Sequence, residues 1–201
     1  MRRLIQAFAT PEGTRRYAAR FVDRAATGAF RVQQELLLSS LGIGTYLGES
    51  DSATDQSYTD AVIAAVSGGI NVIDSAINYR FQRSERSVGA ALRKLFAAGI
   101  AREELVLCTK GGFLTPDGEM PADPSAYFSR EYIQAGILRP EDVAGGCHAM
   151  SPRYLEDQLS RSLHNLGVEC IDVYYLHNPE TQLSEVRREE FSRRVRAALS
   201  F

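Results

Sequence analysis

The sequence predicts an α/β fold in which four short strands alternate with four amphipathic helices. Apolar runs rich in Leu, Val and Ile lie at residues 36–43, 70–74, 105–109 and 171–176. Short runs of this composition are typical of strands buried on both faces of a parallel sheet. Helical periodicity occupies the intervals between them, and a repeated βα order places parallel strands side by side through right-handed crossovers.

The helices are predicted by their apolar spacing and by signals at their ends. The i, i+3, i+4, i+7, i+8 pattern occurs twice, at Tyr58, Ala61, Val62, Ala65 and Val66 and again at Val88, Ala91, Leu92, Leu95 and Phe96. Gly68 and Gly69 end the first of these helices. Ser151 as N-cap and Pro152 at the first helical position begin a third helix. Its buried face is expected to carry Leu155, Leu159, Leu163 and Leu166. A fourth helix carries Phe191, Val195, Ala198 and Leu199.

The composition is that of a soluble globular protein, with 201 residues of which 44% are hydrophobic and 24% charged. The net charge of −2 gives no reason to expect nucleic acid or an anionic membrane as a partner. No apolar run approaches the roughly 18 residues that a membrane-spanning helix needs. Cys108, Cys147 and Cys170 form no CxxC pair, and a cytoplasmic location with reduced thiols is the expectation.

Two parts of the chain are set apart from the strand and helix units. Residues 1–30 are rich in arginine and are interpreted as a solvated leader segment, while residues 31–201 hold the repeated units. Within the latter, residues 113–149 contain Gly and Pro clusters that break any periodicity, so we expect an inserted βα loop with a short helix or a lid. Its aromatic side chains either line a substrate pocket or pack within the insert; they are Tyr127, Phe128 and Tyr132.

Two architectures fit the βα order: an open doubly wound sheet, or about half of a (β/α)8 TIM barrel. The open fold would carry a GxGxxG fingerprint after its first strand. Gly42-Ile43-Gly44 lacks both the third glycine and the start of a helix. The pattern therefore favours the TIM-barrel type, with four βα units in place of the eight that a closed barrel has.

Polar side chains follow the predicted strands at the points where they end. Asp74, Lys110 and His177 lie at strand ends, and Tyr79 lies in the loop five residues after Asp74. Because parallel strands share one carboxyl-terminal edge, these four groups can converge.

A tyrosine hydroxyl titrates near pKa 10, and an adjacent ammonium group stabilises the phenolate and so improves the hydroxyl as a proton donor. A carboxylate would hold that ammonium group, and an imidazole could orient a substrate carbonyl. Such a set suits protonation of a carbonyl oxygen during hydride transfer from a nicotinamide. For each residue taken singly, the alternative is a purely structural role, as a solvated charge, a capping group or a packing group.

Several short motifs resemble those of the aldo-keto reductase family. They are Gly42-Ile43-Gly44-Thr45-Tyr46, Asp74-Ser75-Ala76-Ile77-Asn78-Tyr79, Arg83-Ser84-Glu85 with Gly89, Thr109-Lys110, and Asp172-Val173-Tyr174-Tyr175-Leu176-His177. They occur in the family's order and extend over roughly residues 36–182. The resemblance implies an NADPH-dependent reductase of aldehydes or ketones that binds its cofactor without a Rossmann fold.

The resemblance also implies residue roles. Tyr79 would donate the proton, Lys110 would assist it, Asp74 would pair with Lys110, and His177 would orient the substrate carbonyl. The cofactor would contact the first-strand turn at Gly44, Thr45 and Tyr46, as well as Asp74. No metal is expected, because the adjacent Cys147 and His148 lack further ligands.

Two departures from the family pattern qualify this hypothesis. The interval between Lys110 and His177 is wider than usual, which is the reason for treating residues 113–149 as an insertion. The sequence also stops at Phe201 after four βα units, so we expect a truncated barrel that lacks the adenosine-phosphate contacts. The alternatives to an active reductase are a non-catalytic cofactor-binding or regulatory subunit and an inert gene fragment.

Overall fold

The computed structural model describes residue 5 and residues 7–200. Its α-helices are α1 Pro11–Ala19, α2 Ser52–Ser67, α3 Arg83–Ala97, α4 Pro124–Phe128, α5 Pro152–Leu166 and α6 Arg188–Ala198. Its strands are β1 Phe30–Gln33, β2 Leu36–Ser39, β3 Gly42–Gly44, β4 Val72–Asp74, β5 Val106–Gly111 and β6 Val173–Leu176. Short 3-10 helices span Arg102–Glu104, Pro140–Asp142 and Pro179–Ser184, and a π-helical turn spans Ser129–Gln134.

Strands β3, β4, β5 and β6 form a parallel sheet in that order. Helix α2 connects β3 to β4, α3 connects β4 to β5, and α5 leads into β6, which gives the predicted alternation. Gly44 pairs with Asp74, Asp74 with Cys108, and Lys110 with Tyr175. This register brings the carboxyl-terminal ends of all four strands to one edge, where the predicted polar residues lie.

The first predicted strand, residues 36–43, is wrong as a single element. Residues 36–39 are β2, which pairs antiparallel with β1, whereas the first strand of the parallel sheet is only β3. The hairpin turn places Gln34 at φ 47° and Glu35 at φ 68°. A two-residue turn with positive φ at both positions usually carries Asn or Gly, so this Gln-Glu pair gives no turn signal in the sequence.

The hairpin is attached to the sheet by Asn71, which is fully buried just before β4. Its Oδ1 accepts from the Ser39 backbone nitrogen at 2.7 Å, and its Nδ2 donates to the Leu37 oxygen at 3.0 Å. Leu36 and Leu38 then pack with Val106, Cys108 and their neighbours on one face of the sheet. The hairpin therefore covers the amino-terminal part of that face.

The interpretation of residues 1–30 as a solvated leader is wrong for the described part around α1. Tyr17 is fully buried, lies in the main hydrophobic cluster and donates to the Ile70 oxygen at 3.0 Å. Arg16 and Arg20 pair with the buried carboxylate of Glu104 at 2.7 and 2.8 Å. The arginines that suggested a leader in this stretch are thus partly structural. Arg2 and Arg3 lie outside the described residues, and the domain boundary at residue 30 stays a prediction.

The main core lies between the sheet and helices α2, α3 and α5. Val62 and Val66 from α2, together with Val88, Leu92 and Leu95 from α3, are buried there as their spacing predicted. The expectation for α5 was only partly met. Leu155 and Leu166 are buried, but Leu159 and Leu163 are half-buried, because polar Gln158 and Ser162 lie on the buried face. The apolar face predicted for α6 also needs correction. Of its four residues only Ala198 is buried, and Leu199 is 72% exposed.

The predicted insertion contains short helical segments, as expected. Helix α4, with Asp123 as its N-cap, continues into the π-helical turn, and Tyr132, Leu138 and Ala149 form a separate hydrophobic cluster with Tyr154 of α5. Tyr132 is 1% exposed, and its ring contacts those of Phe128 and Tyr154 at centroid distances of 6.0 and 5.5 Å. Phe128 and Tyr132 therefore pack in this cluster and against α5, and they also line a cavity of about 260 Å³. Whether the aromatics of the insert serve a substrate pocket stays a prediction.

Candidate active site

The register of the sheet places Asp74 and Lys110 on the same face. Asp74 pairs with Cys108, which is two residues before Lys110, and side chains two residues apart along a strand point to the same side. The Lys110 ammonium lies 2.7 Å from Oδ2 of Asp74 and donates to the Ser75 backbone oxygen at 2.7 Å. The side chain of Lys110 is 16% exposed and that of Asp74 is 40% exposed. The cation is thus held at a fixed position on the edge of the sheet while still reached by solvent.

Tyr79 lies between this ion pair and His177. The Lys110 Nζ is 5.0 Å from the centroid of the Tyr79 ring. The Tyr79 and His177 rings meet edge to face, with centroids 5.6 Å apart and planes at 77°. The structure therefore brings together all four side chains that the sequence singled out for chemistry, which are Asp74, Tyr79, Lys110 and His177.

The turn after Tyr79 has an unusual backbone. Arg80, Phe81 and Gln82 all adopt positive φ, between 51° and 70°, in the region that disfavours residues with a Cβ. The Arg80 guanidinium is buried and fixes this turn, because it donates to the Glu49 oxygen at 2.7 Å and pairs with Asp55 at 2.6 Å. The position of Tyr79 is thus set by a turn that is tied to the start of α2.

His177 is a neutral imidazole at neutral pH. Burial, and after it the nearby positive charge of Lys110, lowers the pKa of His177 to about 4. Its Nδ1 is buried, and within the part of the chain that the structure describes it has no hydrogen-bond partner. A neutral imidazole can both donate and accept a hydrogen bond, so the ring is suited to contact a polar oxygen of a ligand.

Two adjoining cavities meet at Tyr46 and Tyr79. One, of about 400 Å³, is lined by Asn78, Phe113, His177 and Asn178 in addition to the two tyrosines. The other, of about 370 Å³, lies against the first-strand turn, with Gly44, Thr45, Leu47, Tyr58 and Asp74 in its lining. Asn78 Oδ1 resembles His177 Nδ1, since it too is a buried polar atom without a partner among the described residues. Both atoms are enclosed, so the reason to expect a polar ligand is that the side chains of Asn78 and His177 line the same cavity.

The residues expected to contact a cofactor differ in how they face the cavity. Gly44 has open space around its Cα, so the backbone is accessible there. Tyr46 is 64% exposed, and its ring lies 4.9 Å from that of Tyr79. Thr45 is fully buried, and its hydroxyl donates to Ser75 Oγ at 2.9 Å, so its side chain holds the turn. Asp74 lines the cavity while its Oδ2 is engaged by Lys110. These residues fit a nicotinamide ribose that is approached by backbone and by an aromatic face.

Asn78, Phe113 and His148 are among the residues in and around the site that were not identified as functional from the sequence. Asn78 is inside a quoted motif but was given no role, and Phe113 lies at the start of the presumed insertion. His148 was considered only as a metal ligand beside Cys147. In the structure Cys147 is exposed, while His148 is fully buried behind His177. Within residue 5 and residues 7–200, no group of three His, Cys, Asp or Glu side chains is placed to hold a metal ion.

A further cavity, of about 360 Å³, lies at the opposite edge of the sheet. Its lining includes Phe21, Phe30, Leu41 and Ile70, most of which precede the sheet strands. Asp74, Tyr79, Lys110 and His177 contribute nothing to it, so it is separate from the candidate site.

The aldo/keto reductase family model matches residues 40–198, which is most of the chain. The chain therefore belongs to the aldo/keto reductase family. It is 29% identical over 148 residues to the NADH-specific methylglyoxal reductase of Escherichia coli, a match that covers 71% of this chain and 39% of that protein. It is also 29% identical over 148 residues to the 6-dehydroglucose reductase of Novosphingobium aromaticivorans, covering 72% of this chain and 39% of the relative.

The fold is also found among solved structures. A thermostable aldo-keto reductase crystallised with the inhibitor epalrestat superposes with a TM-score of 0.51 at 18% identity, over 85% of this chain and 49% of that one. This likeness confirms the TIM-barrel type of fold and the four βα units. The chain spans about two fifths of the length of the curated relatives it matches. In the part of the chain that the structure describes, no helix is long and apolar enough to cross a membrane.

Proposed function

We propose that this chain carries the acid–base half of a nicotinamide-dependent reductase site that converts an aldehyde or ketone into an alcohol. The observation that supports this most is the placement of Tyr79 between the Lys110–Asp74 ion pair and the neutral imidazole of His177, at the junction of two cavities. A reduced nicotinamide, when bound, supplies the hydride that reaches the carbonyl carbon. Every other part of the step belongs to the side chains of this chain.

The carbonyl oxygen gains negative charge as the hydride arrives, and it must be protonated. The Tyr79 hydroxyl is the proposed donor of that proton, and the Lys110 ammonium, 5.0 Å from the centroid of the Tyr79 ring, stabilises the phenolate that remains. Asp74 and the Ser75 oxygen hold the ammonium group in place. The His177 imidazole donates a hydrogen bond to the carbonyl oxygen and so orients it toward Tyr79. A proton from solvent then restores the Tyr79 hydroxyl.

Gly44, Thr45, Tyr46 and Asp74 are the proposed cofactor contacts, and NADPH is the expected cofactor. The name of the Escherichia coli relative specifies NADH, so both nucleotides belong in any assay. The names of the two relatives refer to methylglyoxal and 6-dehydroglucose, which makes small polar carbonyl compounds the first substrates to test.

We also propose a cytoplasmic enzyme without a nucleic-acid or membrane partner, a barrel portion at residues 31–201, and an inserted βα loop at residues 113–149.

The experiment follows nucleotide oxidation with a panel of aldehydes, methylglyoxal included, for the wild type and for Tyr79→Phe. In a completed barrel, we expect Tyr79→Phe to abolish reduction while the affinity for the nucleotide, measured by calorimetry, stays within a few fold. The matched control is Tyr127→Phe, which removes a hydroxyl in the insertion, outside the two cavities. Retained turnover in Tyr79→Phe would disprove the proton-donor role. Nucleotide binding by the wild type without any turnover would instead indicate a non-catalytic cofactor-binding subunit.

A further inference from the structure

His148 lies between β5 and α5, and its side chain is fully buried. Its Nε2 is 2.7 Å from the backbone oxygen of His177, and its Nδ1 is 2.9 Å from Nε2 of Gln182. A carbonyl oxygen only accepts hydrogen bonds and an amide nitrogen only donates them. The hydrogen must therefore be on Nε2, and Nδ1 must be bare. One neutral tautomer of His148 satisfies both contacts.

The orientation of the Gln182 amide is fixed by two further partners. Its Nε2 also donates to the His148 backbone oxygen at 2.9 Å, and its Oε1 accepts from the Arg194 guanidinium at 2.6 Å. Because arginine cannot accept a hydrogen bond, the amide oxygen must face Arg194. Arg194 is in turn paired with Glu190 at 2.8 Å on the same helix, α6. Each group in this series therefore donates to the next one, from Arg194 on α6 through Gln182 and His148 to the His177 oxygen.

The main chain of His177 is held on both sides. Its backbone nitrogen donates to the Gly111 oxygen at 2.8 Å, and its backbone oxygen accepts from His148. The close approach depends on Gly112, since a Cβ there would lie 2.7 Å from Nε2 of His148 and 3.1 Å from the His177 oxygen. Phe113 lies between the two imidazoles, with its ring centroid 5.0 Å from His148 and 5.1 Å from His177, edge to face with both.

We propose that His148 is a positioning residue for His177, which holds the main chain of His177 and thereby the orientation of its imidazole in the cavity. The assignment of a substrate contact to that imidazole rests on the proposed function, whereas the contact between the two histidines does not. If His148 only filled space in the insertion, an aromatic ring without an N–H group would serve as well.

The test uses the full chain, which has three histidines, so that nitrogen–proton correlation spectra resolve every imidazole. His164, which is exposed on α5, is an internal reference. In the wild type we expect His148 to stay in the Nε2–H form and His177 to titrate with a pKa of about 4. The titratable groups that act on His177 are Lys110, His148, Asp74 and Glu180, and of these only His148 is changed.

Three variants separate positioning from space filling. His148→Phe keeps a ring but removes the N–H group, and we expect the pKa of His177 to rise toward its usual value of about 6.5 as the ring loses its fixed, buried orientation. His148→Gln can again donate to the His177 oxygen and should bring the titration back toward that of the wild type. Cys147→Ala, at the exposed neighbour, should leave it unchanged. A folded His148→Phe protein with unchanged His177 signals and pKa overturns the proposal.

If His148→Phe does not fold, Gln182→Leu carries the test. This variant leaves the His148 ring in place but removes the donor to Nδ1, so the contact with the His177 oxygen alone selects the Nε2–H form. We expect part of the His148 population to leave that form and His177 to shift in the same direction as for His148→Phe. Unchanged signals for both histidines overturn the proposal here as well.

The reduction assay gives a second readout that the spectra do not depend on. We expect His148→Phe to lower kcat about tenfold with less than a twofold change in KM, since misorientation of a catalytic group affects the chemical step. His148→Gln should restore most of kcat. If the histidines are coupled in the spectra but no carbonyl is reduced, the positioning role stands and the proposed function fails. If reduction occurs and the histidines are independent, only the positioning role fails.

Discussion

The two ends of β6 carry Asp172 and His177, which belong to one short motif but have opposite surroundings. Asp172 precedes the strand, and its carboxylate accepts from three donors: the Ala9 and Leu107 backbone nitrogens at 2.6 and 2.7 Å and the Arg102 guanidinium at 2.7 Å. His177 follows the strand, and its Nδ1 has no partner among the described residues.

The ion pairs at the two edges differ in the same way. The side chains of Arg102 and Asp172 are 2% and 7% exposed, whereas Asp74 in the pair with Lys110 is 40% exposed. At the amino-terminal edge the two charges are buried and paired with each other, which is the arrangement that supports folding, although Arg102 Nε has no partner among the described residues. At the carboxyl-terminal edge, solvent still reaches Asp74, and the side chains of Asp74 and His177 line cavities, which is the arrangement that a ligand site requires.

The largest effect on stability is expected for Asp172→Ala. Removal of the carboxylate leaves the buried Arg102 without its counter-charge and two backbone nitrogens without their acceptor, so we expect a loss of about 3–5 kcal/mol in the free energy of unfolding. Urea denaturation followed by circular dichroism measures it. Asp117→Ala, which breaks the exposed pair with Arg86, is the matched control and should cost no more than about 1 kcal/mol. Equal losses for the two variants would contradict the contrast between the edges.

A smaller effect is expected from acidification, through His177. Its folded pKa of about 4 is below the value of about 6.5 in an unfolded chain, so the unfolded chain binds more protons between these two pH values. The contribution of His177 to stability is therefore present above about pH 6.5 and is lost as the pH falls toward 4. His177→Asn removes this proton uptake. The wild type should lose more unfolding free energy than His177→Asn on acidification, and parallel pH profiles would show that His177 is not desolvated.

The smallest change in stability is expected for Lys110→Met. Because Asp74 is still 40% exposed, solvent screens its charge, and the free energy of unfolding should fall by no more than about 1 kcal/mol. Reduction of aldehydes should nevertheless fall by at least a hundredfold if Lys110 assists Tyr79, an amount on the order of general acid catalysis. A variant that loses several kcal/mol of stability would place Lys110 with the structural charges of the opposite edge.

The sequence predicted an element correctly where its apolar pattern and end signals were compatible with only one kind of secondary structure. The strands at residues 70–74, 105–109 and 171–176 overlap β4, β5 and β6, and Ser151 with Pro152 begins α5 as expected. It failed at residues 36–43, because an apolar run does not distinguish a hairpin strand from a strand of the parallel sheet. The turn at Gln34 and Glu35 lacks the usual residues that would have divided the two.

The sequence alone determined which side chains would meet at one edge, because parallel strands must align their carboxyl-terminal ends. Asp74, Lys110 and His177 were therefore found from their positions along the chain. Only the tertiary structure decided which of these groups have hydrogen-bond partners within the protein and which do not. It alone placed His148 against the main chain of His177, 29 residues later. Hydrogen-bond partners of that kind come from segments whose spacing is not periodic, so only the folded chain shows that the two histidines are neighbours.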